Sequence, residues 1–203
     1  DMTLQLVDGQ QLSATHAIQV GRGGQLNHGE QSGIQASLLQ IERGGRIQGS
    51  GDITGNVVNG GYVKPGSSAL QIQGNFTQLE SGVLEFDFAG AGFGQFDTLV
   101  IEGEANLNGL LTLNLENLSS LEPGGSFTLI SATEGIVGDF SRVQLVGQAP
   151  AGIGFGFSFD DNQVVLFSQT STLGDMNFDG VADGCDVEDF VLAMRDPLGY
   201  FDA

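Results

Sequence analysis

Residues 39–47 read Leu-Gln-Ile-Glu-Arg-Gly-Gly-Arg-Ile, two short apolar and polar alternations hinged on a glycine pair. Residues 18–26, Ile-Gln-Val-Gly-Arg-Gly-Gly-Gln-Leu, repeat the phrase 21 positions earlier, so that Ile18, Val20, Gly24 and Leu26 fall on Leu39, Ile41, Gly45 and Ile47. In a strand, residues two apart share a face, and such alternation marks one face for the core and the other for water. The glycine-plus-apolar mark recurs at Gly24/Leu26, Gly45/Ile47, Gly61/Val63 and Gly82/Leu84, at intervals of 21, 16 and 21. A helical hairpin repeat of fixed length does not tolerate that variation, whereas a solenoid coil can shorten a turn and still stack.

The same grammar extends through the chain. Leu84, Phe86 and Phe88 alternate with Glu85 and Asp87, and Leu111, Leu113 and Leu115 alternate with Thr112 and Asn114. Glycines between these runs suit corners that need positive φ. No amphipathic helix is legible before about residue 186. A strand-turn-strand chain without helical crossovers is either an antiparallel sandwich or a parallel solenoid. The copies 21 residues apart favour the solenoid, because equivalent residues one coil apart then stack directly. Roughly 165 residues at about 21 per coil predict about eight coils and a rod on the order of 40 Å long. Near the end, alternating Ile153, Phe155, Phe157 and Phe159, a turn at Asp160-Asp161-Asn162 and a return through Val164 to Phe167 predict a hairpin placed to close the apolar end of the rod. The expected division is a parallel β-helix over 1–168, a polar linker over 169–174 and a small separate unit over 175–203.

Residues 66–140 carry a loose motif in well-kept order. It runs from Gly66-Ser-Ser-Ala-Leu-Gln-Ile-Gln-Gly-Asn-Phe-Thr-Gln78 through Phe96-Asp-Thr-Leu-Val-Ile-Glu-Gly103 and Asn106-Leu-Asn-Gly109 to Gly125-Ser-Phe-Thr-Leu-Ile130 and Gly138-Asp-Phe140. This stretch resembles the passenger-type repeat of autotransporter and related bacterial surface proteins. The resemblance implies a right-handed parallel β-helix and an extracellular, cell-surface or matrix setting.

Charge narrows the partners. Six basic residues against 25 acidic ones give a net charge of −19. Nucleic-acid binding needs Lys and Arg to neutralise phosphates, so it is excluded as a partner class. The same charge disfavours anionic membranes and attracts divalent cations. Arg22, Arg43, Arg46 and Lys64 lie in the first third, where they read as solvated charges at coil edges; no Lys or Arg occurs between Pro65 and Ser141. No apolar run approaches the ~18 residues of a membrane-spanning helix. Cys185 is the only cysteine, so no intrachain disulfide forms. The start at Asp1, without Met or a basic leader, is read as a portion of a longer or processed protein.

The one specific chemical signature lies past the last rung. Asp175-Met-Asn-Phe-Asp-Gly-Val-Ala-Asp-Gly-Cys-Asp186 fits a twelve-residue Ca2+ loop. Asp175, Asn177, Asp179, Asp183 and Asp186 place oxygens at loop positions 1, 3, 5, 9 and 12, the Val181 carbonyl serves position 7, and Gly180 takes the sharp turn. Calcium wants 6–8 oxygens, and a tightly wound loop aims alternate residues inward. No entering helix precedes Asp175, while Val187, Phe190, Val191 and Met194 follow at helical spacing up to Pro197. A calcium loop with a terminal Asp and an exiting helix alone is similar to a dockerin repeat, and the segment 190–197 resembles the dockerin-like ends of large secreted planctomycete proteins. Dockerins carry two such repeats and dock onto cohesin modules; one copy is present here.

Other chemistry is sparse. His16 and His28 lack the neighbours of a zinc site and read as polar positions on coil faces. Glu85, Asp87, Asp97, Glu102 and Glu104 are candidates for a carboxylate pair of a glycan-active β-helix enzyme, with separations of ~5–9 Å within reach of adjacent coils. Outward acidic residues on an acidic solenoid are expected in number, which is the stronger reading, and lyases commonly use Lys or Arg near the cleaved bond, of which this stretch has neither. The reading is therefore a secreted, non-catalytic structural or adhesive rod with a calcium-stabilised tail. Its partner classes are a second copy stacked on an open end, a cohesin-like protein or an extracellular glycan. The alternatives are a cohesin-type anchoring module and the glycan-active enzyme.

Overall fold

The computed structural model describes residues 2–171, and over them the protein is all-β, with seventeen strands in one curled sheet. The first turn of chain holds β1 (Met2–Leu6), β2 (Gln11–Ser13) and β3 (Ala17–Val20), and the second holds β4 (Gly24–His28) and β5 (Gly33–Ile41). Next come the long bent strands β6 (Arg46–Asn59) and β7 (Tyr62–Gln73), then β8 (Phe76–Gln78). The last parallel turns are β9 (Val83–Asp87), β10 (Leu99–Ile101) and β11 (Ala105–Leu107), followed by β12 (Leu110–Asn114), β13 (Ser126–Ala132), β14 (Ile136–Gly138) and β15 (Arg142–Val146). The chain closes on β16 (Ile153–Phe159) and β17 (Gln163–Thr170).

Three families of parallel pairing run through this order. In the first, Leu4, Leu26, Ile47, Val63, Leu84, Leu111 and Val143 stand in register, 22, 21, 16, 21, 27 and 32 residues apart. In the second, Leu12, Ile34, Ile53, Ile72, Ile101 and Ala132 align; in the third, Ile18, Leu39, Val57, Phe76, Ala105 and Ile136 do. The phrases at 18–26 and 39–47 thus lie side by side. The first family has seven rungs where chain length alone suggested about eight, because its last two intervals are lengthened by the excursions 88–98 and 115–125.

The core follows from the alternation. Leu26, Ile47, Val63, Leu84, Leu111, Ile34, Ile53, Ile72, Leu39 and Phe76 are all nearly inaccessible and form one cluster. Each such side chain contributes roughly 1.5–3 kcal/mol on burial. The glycine pair of the opening phrase serves two needs. Gly44 has φ +87°, a left-handed conformation that strains other residues, while a Cβ on Gly45 would run into the Val20 carbonyl at the end of β3. Gly61 and Gly82 repeat the second condition, with carbonyl oxygens of Gly45 and Asn59 2.5 Å from where their Cβ would stand.

The expected hairpin is present. β16 and β17 pair antiparallel, and β17 also pairs antiparallel with β13. Val164 and Leu166 are buried, and Phe155 and Phe157 pack against the core cluster at this end. β17 runs to Thr170, into the segment expected as linker. The calcium loop and its ligands Asp175 to Asp186, the exiting helix and Cys185 lie outside the described residues.

Candidate functional site

Stacking brings together residues far apart in the chain, from Gln48 and Lys64, 16 positions apart, to Gln5 and Asp97, 92 apart. On the outer side of the first ladder, Gln5, Asn27, Gln48 and Lys64 stand on successive rungs. Asn27 Nδ2 donates to Gln5 Oε1 at 2.9 Å, continuing the ladder through side chains. One rung beyond, Lys64 Nζ lies 3.0 Å from Glu85 Oε1 and 2.8 Å from Asp87 Oδ1. Asp87 Oδ1 also accepts from Asn114 Nδ2 at 3.0 Å on the following rung.

Asp97 completes the cluster from the end of the 88–98 excursion. Its Oδ2 accepts the Asp87 N–H at 2.8 Å, and its own N–H donates to the Asp87 carbonyl at 3.0 Å, so the excursion is clipped shut at its base. Phe88 bridges Phe96 within that clip, and both rings pack edge-on against Phe127. The Asp97 side chain is only 5% exposed. Burial pushes its carboxyl up to about 7; the Asp87 N–H opposes the shift, the Asp87 and Glu85 charges add to it, and Lys64 subtracts. Near neutral pH a substantial fraction of this acid is therefore protonated, and that form both donates and accepts. Burial pulls the Lys64 ammonium down, but hydrogen bonds and charge from Asp87 and Glu85 outweigh it and hold Lys64 above its ordinary value. Tyr62, under the guanidinium of Arg46 at 4.5 Å, is pushed up by burial and by the Glu85 carboxylate.

Gln5, Asn27, Gln48, Lys64, Asp87 and Asp97 line an open groove of about 420 Å³ at the corner between the first and second ladders, and Gly49, Pro65, Gly66 and His28 complete its lining. His28 corrects its expected place on a coil face. It falls in the inward row between Leu6 and Gly49, is 4% exposed, and neither ring nitrogen has a hydrogen-bond partner. Its room comes from the next rung, where a Cβ on Gly51 would meet the imidazole Cε1 at 2.8 Å. Burial lowers its pKa, against a weaker opposing pull from the Ser50 backbone and the Asp52 charge, so the ring is neutral.

Of the five carboxylates singled out in the sequence, Glu85, Asp87 and Asp97 converge, whereas Glu102 and Glu104 lie exposed and do not line the groove. Asp97 is buried rather than outward. Lys64 was read as a solvated edge charge, yet its side chain is 24% exposed and sits between two carboxylates of the next rung. The 21-residue interval that aligns Val63 with Leu84 also places Lys64 beside Glu85, and that was the signal available in the sequence. His16 remains exposed, as expected. Among the described residues, no three His, Cys, Asp or Glu side chains are grouped to hold a metal ion, and no helix is long and apolar enough to cross a membrane. No family model matches the chain, and no curated protein matches it in sequence.

Proposed function

We propose that the chain is a secreted, non-catalytic structural or adhesive module: a right-handed parallel β-helix of the autotransporter passenger type, carrying a dockerin-like tail ordered by Ca2+ on Asp175, Asn177, Asp179, Val181, Asp183 and Asp186. The observation that carries this reading is the three-family parallel register around one apolar core, which supports a coil that rises by one rung per turn. Seven rungs at ~4.8 Å correspond to a rod of roughly 30 Å. A rigid, acidic rod has reach and no fold-imposed reaction, which suits display at a surface or in a matrix. A single calcium loop without an entering helix lacks the helix pair that opens in calcium sensors, so the ion is assigned a structural role.

Three measurements test the reading. Small-angle scattering of the chain in calcium is expected to fit a seven-rung coiled stack with a cross-section of one coil; a profile fitted only by a flat antiparallel sandwich would overturn the rod. Amide exchange over residues 175–196 is expected to accelerate on chelation, and unchanged protection would overturn the calcium tail. Electron microscopy at high concentration with calcium separates end-to-end stacking from isolated rods.

A further inference from the structure

The corner groove has a built character that an acidic surface alone does not explain. Its wall is a run of amides, Gln5, Asn27 and Gln48, one per rung, leading to Lys64, Asp87 and the nearly inaccessible Asp97. The neighbouring His28 is buried with both ring nitrogens unpartnered. We infer that this groove binds a neutral glycan strand lying along the stack, its hydroxyls exchanging hydrogen bonds with the amide rungs and with Lys64, Asp87 and Asp97 beyond them. The inference deepens the adhesive reading and rests on it.

Four observations select that ligand class. The backbone N–H and C=O groups behind the groove are spent in the first ladder, so a peptide finds no strand edge to extend there. Amides both donate and accept, and so does the protonated form of the Asp97 carboxyl near neutral pH, which matches hydroxyl groups better than ligands of one polarity. The rungs recur every ~4.8 Å, the scale of one ring and linkage of an extended glycan. A chain of net charge −19, whose groove lysine is already held by two carboxylates, repels uronate and sulfate polymers.

Affinity electrophoresis of the full chain through gels containing soluble xylan, mixed-linkage β-glucan, galactomannan or polygalacturonate tests the inference. Retardation by at least one neutral polymer and none by polygalacturonate is expected. Gln48→Ala and Asp97→Ala should weaken the retardation at least tenfold, while Thr54→Ala, on the second ladder, leaves it unchanged. Asp97 is faced by Asp87 and Glu85 of β9 and by Lys64 of β7, with His28 of β4 in the lining of the same groove, and its neutral form is the donor. Retardation should therefore fall severalfold as pH rises from 6 to 8, and in Asp97→Asn it should persist without that pH dependence. A folding defect would abolish the far-UV spectrum and would not reproduce the Asp97→Asn profile. No retardation by any neutral polymer, retardation by polygalacturonate alone, or retardation indifferent to Gln48→Ala and Asp97→Ala would each overturn the inference. A rod by scattering that runs freely in every gel refutes the groove and not the rod.

Discussion

Replacing Asn59 by leucine perturbs the interior at a point where apolar alternation breaks. Asn59 falls in the inward row between Ile41 and Gln78 and is wholly inaccessible, as Gln78 very nearly is. Its Nδ2 donates to Gln78 Oε1 at 2.8 Å and to the Val83 carbonyl at 3.0 Å, and its Oδ1 accepts from the Gly61 N–H at 3.0 Å. Gln78 in turn donates to the carbonyls of Gly82 at 3.4 Å and Leu110 at 3.2 Å, so the two amides tie together the strands β6, β8, β9 and β12. Leucine fills a similar volume but leaves the Gly61 N–H and Gln78 Oε1 buried without partners. At about 1–3 kcal/mol for each orphaned group, the expected cost is ~4 kcal/mol, a large part of a typical ~5–15 kcal/mol total. Urea unfolding followed by far-UV circular dichroism reads the change as a shift in midpoint at constant slope. The Asn59→Leu/Gln78→Leu double variant should lose about 1–2 kcal/mol less than the sum of the singles, because the second change removes one orphan made by the first. A loss below about 1 kcal/mol for Asn59→Leu, or additivity within ~0.5 kcal/mol, would refute this tie.

Two further predictions concern protons. The Asp97 carboxyl, raised from 3.8 to about 7, holds in the folded chain a proton that the unfolded chain releases, so its contribution to stability is full below pH ~4 and is lost as pH rises through about 7. Asp97→Asn should flatten that part of the stability curve, and an unchanged curve would remove Asp97 as its source. His28 has the opposite sign: with a lowered folded pKa its contribution is full above ~6.5 and is lost as pH falls below that value. His28→Leu should abolish the acid-side loss and leave stability at pH 7.5 unchanged or raised by ~1 kcal/mol, since it removes two unpartnered nitrogens from an inward row; a loss above ~2 kcal/mol at pH 7.5 would show that the ring is bonded in solution.

Much of the architecture was legible in the residues themselves. Alternation at period two names the buried set, and the echo of 18–26 in 39–47 names the partners, because identical spacing between corners forces identical rungs into register. The hairpin at 153–167 was legible for the same reason. The number of rungs was not: a detour between paired strands, as at 88–98 and 115–125, uses chain without adding a rung.

What the sequence by itself determined, then, is the strand pattern and its repeat. It also carries a calcium-loop signature, which lies beyond the described residues. Only the tertiary structure decided which side chains meet. Lys64 reaches Glu85 and Asp87, Asp97 is drawn under the Asp87 backbone, His28 turns inward above Gly51, and Asn59 and Gln78 replace apolar residues in a core row. The physical reason is that alternation records the average side on which a residue lies, a local property of two-residue period. A polar group's surroundings are set by the paired strands on either side, about 16 to 32 residues away, and by how closely the glycines let those strands approach.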